Sequence, residues 1–226
     1  MMIPGRTFAI SDIHGCARTF QKLVQEVIHL QKSDSLYLIG DFIDRGNDSK
    51  GVVDFIFQLQ EEGHQLFLLR GNHEQLMMDS VNDKETFNLW IKNGGDKTLK
   101  SFGIKSYSNL TLRYLSFFEK TERCLTYEKF IIVHAGLNFN HDNLFEDEEA
   151  MLWTRDMKID KQKLGDRVIV HGHTPKPLDS ILSQNQQGAV NIDGGCVYHT
   201  AKGFGFLVAY NLTERMFHYA RNAEGD

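Results

Sequence analysis

Residues 36–46 read LYLIGDFIDRG: an apolar run from Leu36 to Ile39, then a polar turn carrying Gly40, Asp41, Asp44, Arg45 and Gly46. In an α/β sheet, ligands sit beyond the carboxyl ends of the strands. A strand that stops in a glycine-flanked turn with two carboxylates and a guanidinium therefore offers its chemistry where such a sheet uses it. The same arrangement lies on either side at roughly 30-residue spacing, the size of a β-α-β unit. Thr7 to Ser11 leads into SDIHG at 11–15, and Leu66 to Leu69 leads into RGNHE at 70–74. Between these strands, Phe20, Leu23, Val24, Val27 and Ile28 within Ala17 to Leu30 recur at helical spacing, and Val52, Val53, Phe55, Ile56 and Leu59 suit a second helix. Alternating strands and helices predict an α/β fold.

Further along, Glu74 to about Glu119 reads as helices broken by Gly94, Gly95 and Gly103, a helical insertion over about 74–120 that covers one edge of the site. Strands return at Phe130 to Val133, ahead of VHAG, and at Arg167 to Val170, ahead of HGHT. Short β segments follow around Ile181, Val190, Phe204 to Tyr210 and Met216 to Tyr219. The last third is expected to form a second, mostly antiparallel sheet. The predicted architecture is a two-sheet β-sandwich flanked by helices, a single domain over 1–226.

The composition agrees with a folded chain: 41% of residues are hydrophobic, 24% are charged and only 3 are Pro. A net charge of -5 without a dense Lys/Arg cluster argues against a nucleic-acid partner. Cys16, Cys124 and Cys196 form an odd, widely spaced set with no CxxC, so reduced thiols are expected, not a disulfide framework or a thiolate zinc site. The N-terminal stretch MMIPGRTFAISDIHG lacks the basic start and long apolar core of a signal peptide. No apolar run approaches the roughly 20 residues that cross a bilayer. A soluble, cytoplasmic protein with no membrane partner is expected.

Each polar turn alone is weak, because Asp before Gly is commonly a turn or cap residue and a strand-end His is commonly scaffold. Five such turns in order are different. They supply Asp12 and His14, then Asp41, Asp44 and Arg45, then Asn72 and His73, then His134, then His171 and His173. Carboxylate, amide oxygen and imidazole are the donors that hard or borderline divalent ions take.

The ordered set SDIHG, GDFIDRG, RGNHE, VHAG and HGHT resembles, over residues 11–174, the calcineurin-like metallophosphoesterase fold of the phosphoprotein phosphatase family. The resemblance implies one metal ion held by Asp12, His14 and Asp41, and a second held by Asp41, Asn72, His134 and His173, with Asp41 bridging. Two divalent ions against two carboxylates leave a cationic site that attracts a phosphate dianion and lowers the pKa of bound water toward neutrality. Two Mn ions are expected, while Fe, Zn or Co also suit a donor set without thiolates. His73 is the expected general acid, oriented by Asp44. Arg45 is expected to bind the phosphate, and Arg155 in MLWTRD resembles the second phosphate-binding arginine of the bacterial and phage branch. His171 is expected beside the ligands, and Asp193 in NIDGG as structural support. The expected reaction is in-line attack by a metal-bridging hydroxide without a phosphoenzyme, since no turn carries a Ser or Cys nucleophile motif and GxxxxGK[ST] is absent.

The segment NLWIKNGGDKTLKSFG at 88–103 and MLWTRD resemble the bacterial and bacteriophage lambda-type serine/threonine protein phosphatases, so a phosphorylated protein or peptide is the expected partner. Ser11 stands where many members carry Gly, and the long C-terminal groove elements of the eukaryotic enzymes are missing. No eukaryotic-type regulatory subunit is therefore expected. Two alternatives stay open: a symmetrical diadenosine tetraphosphate hydrolase, and a non-catalytic binding module that keeps the fold.

Overall fold

The structure is a computed structural model that describes residues 5–225. Residues 1–4, part of the N-terminal stretch read for a targeting segment, lie outside the described residues. Nine strands form two sheets among these residues. The first has the order β3-β2-β1-β8-β9, with β1 Thr7–Ile10, β2 Ser35–Leu38, β3 Gln65–Leu68, β8 Phe206–Asn211 and β9 Met216–Arg221. The second runs β4-β5-β6-β7, with β4 Cys124–Tyr127, β5 Phe130–Val133, β6 Val168–His171 and β7 Ala189–Asn191.

Period-2 alternation explains how the sheets stack. Ala9, Tyr37 and Ile39 point from the first sheet into one buried cluster, where they meet Phe130, Ile132, Val168 and Val170 from the second. Their neighbours Phe8, Ile10, Leu36 and Leu38 point the other way, against Phe20, Leu23, Val52, Val53 and Ile56. Ile131, Val133 and Ile169 likewise turn outward to Leu137, Met151 and Leu164. Every side chain of β1 and β5 is buried, as a strand covered on both faces requires.

On the outer face of the first sheet lie α1 Ala17–Lys22, which continues as a π turn over Leu23–Val27, and α2 Ser49–Glu61, whose N-cap Asp48 accepts from Gly51 N. From residue 72 to 119 come α3 Asn72–Asp79, α4 Lys84–Trp90, a π turn over Ile91–Gly95, α5 Asp96–Phe102 and α6 Leu112–Glu119. Trp90, Phe117 and Phe118 from this stretch enter the same core cluster as α1 and α2. On the outer face of the second sheet lie α7 Glu148–Trp153 and α8 Lys161–Leu164, while α9 Leu178–Ser183 packs into the cluster between the sheets. Among the described residues, no helix is long and apolar enough to cross a membrane.

Two expectations are corrected here. The segment around Ile181 is the helix α9, not a strand: Leu178 and Ile181 are buried three residues apart, and Pro177 sits at the N-cap, where a missing N–H costs nothing. The last third is not a mostly antiparallel sheet of its own. β5, β6 and β7 pair in parallel, and the β8–β9 hairpin joins the first sheet by an antiparallel pairing of β8 with β1, Phe8 opposite Asn211. An apolar alternation says which face of a strand is buried; it does not say which neighbour takes the backbone hydrogen bonds.

Candidate metal centre

The polar turns after β1, β2, β3, β5 and β6 meet at one rim. His14 N donates to Asp41 O at 2.8 Å, Gly15 N to Phe42 O at 2.9 Å, and Gly172 N to His134 O at 2.8 Å. Six of the expected site residues have left-handed backbone: Asp12 at φ 50, His14 at 46, Asp41 at 53, Asp44 at 70, Arg45 at 66 and His173 at 67. An L-residue in that region costs on the order of 1–3 kcal/mol and persists where its surroundings over-determine it. The reversal at each of these positions turns the chain sharply at the strand end and brings the side chain back over the rim.

Asp41 stands at the centre. Its Oδ2 lies 3.4 Å from His14 Nε2, and its Oδ1 lies 3.6 Å from His134 Nε2, so the two oxygens of one carboxylate face two different groups. Within each group the donor atoms lie within 4.8 Å of one another: His14, Asp41 and His73 in one, Asp41, His134 and His173 in the other. Tautomers are set by the outer ring nitrogens. His14 Nδ1 donates to Ile43 O at 2.8 Å and His134 Nδ1 to Ile39 O at 2.9 Å, which leaves each Nε2 with a lone pair. Asn72 Oδ1 sits 3.0 Å from His134 Nε2 and 2.9 Å from His173 Nδ1. At His134, whose ring proton the Ile39 carbonyl takes, Nε2 and Asn72 Oδ1 face each other as two electron-pair donors, a poor contact for a dry protein and a good one for a cation. His173 Nε2 is buried without a partner, and the cationic Arg45 Nη1 lies against His14 Nε2.

Electrostatics keep His14 and His173 in the form a metal binds. Burial, then the Arg45 charge, holds His14 well below its ordinary value. Burial, then His134 and Arg155, pushes His173 down to about 2. The residues present therefore fit divalent metal ions. Asp12 stands outside both groups: its carboxylate accepts from His173 N at 3.2 and 3.0 Å, although its charge is felt at Asp41. His171 donates from Nδ1 to Gly172 O, and Asp193 accepts from Gly195 N at 2.9 Å.

His73 and Asp44 form a buried pair, Nδ1 to Oδ2 at 2.7 Å, with Nε2 4.0 Å from Asp41 Oδ2. Burial pushes Asp44 up to about 8 and His73 down to about 4. Between those values the pair carries one proton, the same count as a carboxylate facing an imidazolium. The helical stretch reaches Asp44 in two ways that the sequence did not announce. Trp90 Nε1 donates to both carboxylate oxygens, at 3.0 and 2.9 Å, and Thr98 Oγ1 donates to Oδ1 at 2.6 Å. Gly94 and Gly95 make this possible. Gly94, at φ 103, brings its carbonyl to Arg45 N, and a Cβ on Gly95 would lie 2.5 Å from the Trp90 ring. In the sequence the paired glycines marked a helix break and formed part of the segment at 88–103, without showing this contact.

Comparison with known proteins decides the family, because the calcineurin-like phosphoesterase signature matches residues 5–212. The chain belongs to the calcineurin-like phosphoesterase family. It is 37% identical over 89 residues to serine/threonine-protein phosphatase 1 of Salmonella typhimurium, a match that covers 39% of this chain and 38% of that protein. It is 24% identical to an asymmetrical bis(5'-nucleosyl)-tetraphosphatase of Oceanobacillus iheyensis over 92% of this chain and 89% of that one. A symmetrical bis(5'-nucleosyl)-tetraphosphatase of Buchnera aphidicola is 30% identical over 58% of this chain and 44% of its own length. The chain thus spans less than half the length of two of these relatives.

At the rim of the candidate site, Arg45 lies with its guanidinium 5.8 Å from the Tyr198 ring, and Trp153 packs edge-on to His173 at 6.3 Å between ring centres. Arg155 is exposed, and its charge reaches His173. The three cysteines are free thiols. In this phosphoesterase, Trp90→Phe removes the indole donor from a carboxylate that is fully buried. We expect a loss of about 2–4 kcal/mol in unfolding free energy, read from urea denaturation.

Proposed function

We propose that the chain is a dinuclear metal-dependent phosphomonoester hydrolase acting on phosphoserine and phosphothreonine in proteins or peptides, with Mn as the resident ion. The observation that carries the choice of substrate is the His73–Asp44 pair, held by Trp90 and Thr98. A serine or threonine alkoxide leaves only as it takes up a proton, so it needs a positioned acid. A nucleoside diphosphate leaves as a stable anion and needs one far less.

His14 and Asp41, with Asp12 beside them, would hold one ion; Asp41, Asn72, His134 and His173 would hold the other. Bound there, two divalent ions supply positive charge for the phosphoryl oxygens and a water ionised near neutral pH. The side chains do the rest. Arg45 and Arg155 take the remaining phosphate oxygens and set the angle of the ester. His73 gives the proton on Nε2 to the leaving oxygen while Asp44 fixes the ring through Nδ1. The phosphate dianion itself favours the imidazolium that must form, because an opposite charge stabilises the charged state.

A second reading, symmetrical hydrolysis of diadenosine tetraphosphate, is favoured by the symmetrical tetraphosphatase among the relatives. A turnover panel with added Mn separates the two. We expect kcat/KM for phosphoserine peptides to exceed that for diadenosine tetraphosphate by at least about tenfold. Faster release of two ADP from the dinucleotide would overturn the phosphoprotein reading. Turnover of para-nitrophenyl phosphate no faster than in buffer, and equal in His73→Asn, would leave a binding module.

A further inference from the structure

Glu74 ends the RGNHE turn, is fully buried, and has no part in the chemistry above. Its carboxylate accepts four main-chain N–H groups. Oε2 takes Asp41 N at 2.8 Å and Gly71 N at 2.9 Å, and Oε1 takes Phe42 N at 2.8 Å and Ile43 N at 3.3 Å. A glutamate at the third position of a helix often accepts from the N-cap N–H, and the Gly71 contact is of that kind. That role needs one donor. The other three come from the turn after β2, more than thirty residues away in sequence, and they flank the left-handed Asp41.

The junction is tight. A Cβ on Gly71 would lie 2.1 Å from Asp41 Oδ1 and 2.8 Å from Glu74 Oε2, so the α3 entrance and the Asp41 carboxylate are packed against each other without room for a methyl group. On the far side, His73 N donates to Asp41 Oδ1 at 3.1 Å. The RGNHE turn therefore grips Asp41 twice, by its backbone through Glu74 and by its side chain through His73 N.

We infer that Glu74 is a positioning residue for the metal centre: its carboxylate locks the backbone of Asp41–Ile43 in the one conformation that turns Asp41 Oδ2 toward His14 and Oδ1 toward His134. The inference rests on the reading of Asp41 as a ligand shared by two ions. Glu74 would act through the N–H groups it binds. The Ile43 carbonyl that fixes the His14 tautomer belongs to the same short turn, so one carboxylate governs ligands of both groups.

The test is Mn binding to the whole chain by equilibrium dialysis, beside the thermal midpoint and the kinetics of para-nitrophenyl phosphate hydrolysis. Glu74→Gln keeps the shape and loses the charge and half the acceptor capacity; Glu74→Asp keeps the charge and draws it back by one methylene. We expect each to weaken Mn binding by about 10- to 100-fold, the usual effect of removing an outer partner of a metal ligand. At saturating Mn, kcat should recover most of its value with KM unchanged. A helix cap without further role would lower the thermal midpoint and leave Mn affinity intact. Mn affinity within about twofold of the parent in either folded variant overturns the inference. Absence of Mn binding by the parent chain would instead overturn the reading of Asp41 as a shared ligand.

Discussion

His73→Asn should lower kcat for a phosphoserine peptide by about 10²- to 10⁴-fold, the range a general acid contributes. For para-nitrophenyl phosphate the same substitution should cost less than about tenfold, because nitrophenolate departs without a proton and the acid has little to offer it. The contrast between the two substrates is the informative quantity. Asparagine keeps a donor near the position of Nδ1 but cannot pass a proton, and the rest of the rim is left in place. A loss of equal size on both substrates would mean that His73 holds the site together and donates nothing, and the argument for a poor leaving group would go with it. Steady-state kinetics at saturating Mn on both substrates provides the comparison.

Asp41→Ala should be more damaging and less selective. Its two oxygens face His14 and His134 separately, and among the described residues it is the side chain common to both groups. Each metal ion contributes several kcal/mol of charge stabilisation to phosphoryl transfer, and losing even one corresponds to a fall of about 10³-fold or more in kcat. Both substrates should suffer alike. Metal analysis of the purified variant should find fewer than two ions per chain; full occupancy with near-normal turnover would remove Asp41 from the centre of the scheme.

Much of this site could be read from the chain before any coordinates. The turns after β1, β2, β3, β5 and β6 each follow a short run of apolar residues, and the functional groups fall at the carboxyl end every time, so strand position and chemistry reinforce each other. The brace behind them could not be read. Trp90 and Thr98 reach Asp44 across 46 and 54 residues, and nothing in their own neighbourhood distinguishes a tryptophan that donates a hydrogen bond to a buried carboxylate from one that only fills a core. Glu74 was visible as part of a motif yet silent about its task, since an acceptor for four backbone donors leaves no pattern of side chains. Asp12 was named for its type and order; that its carboxylate also accepts the His173 amide, tying the first turn to the last, was not legible. The misread helix at Leu178–Ser183 and the misplaced β8–β9 hairpin have a common cause. Short apolar segments report burial, whereas pairing partners depend on how the whole chain closes.

The six left-handed residues around the rim have an evolutionary corollary. Glycine occupies that region without penalty, and an L side chain there costs about 1–2 kcal/mol. At Arg45, which is only partly buried, exchange for glycine would relieve the backbone and give up the contacts with His14 and Tyr198 on which the rim depends. A lineage screened only for survival of heat would drift toward glycine at such positions and end as a tougher, inert relative. The strain at these six positions is the cost of placing charged and ring-bearing side chains on the rim.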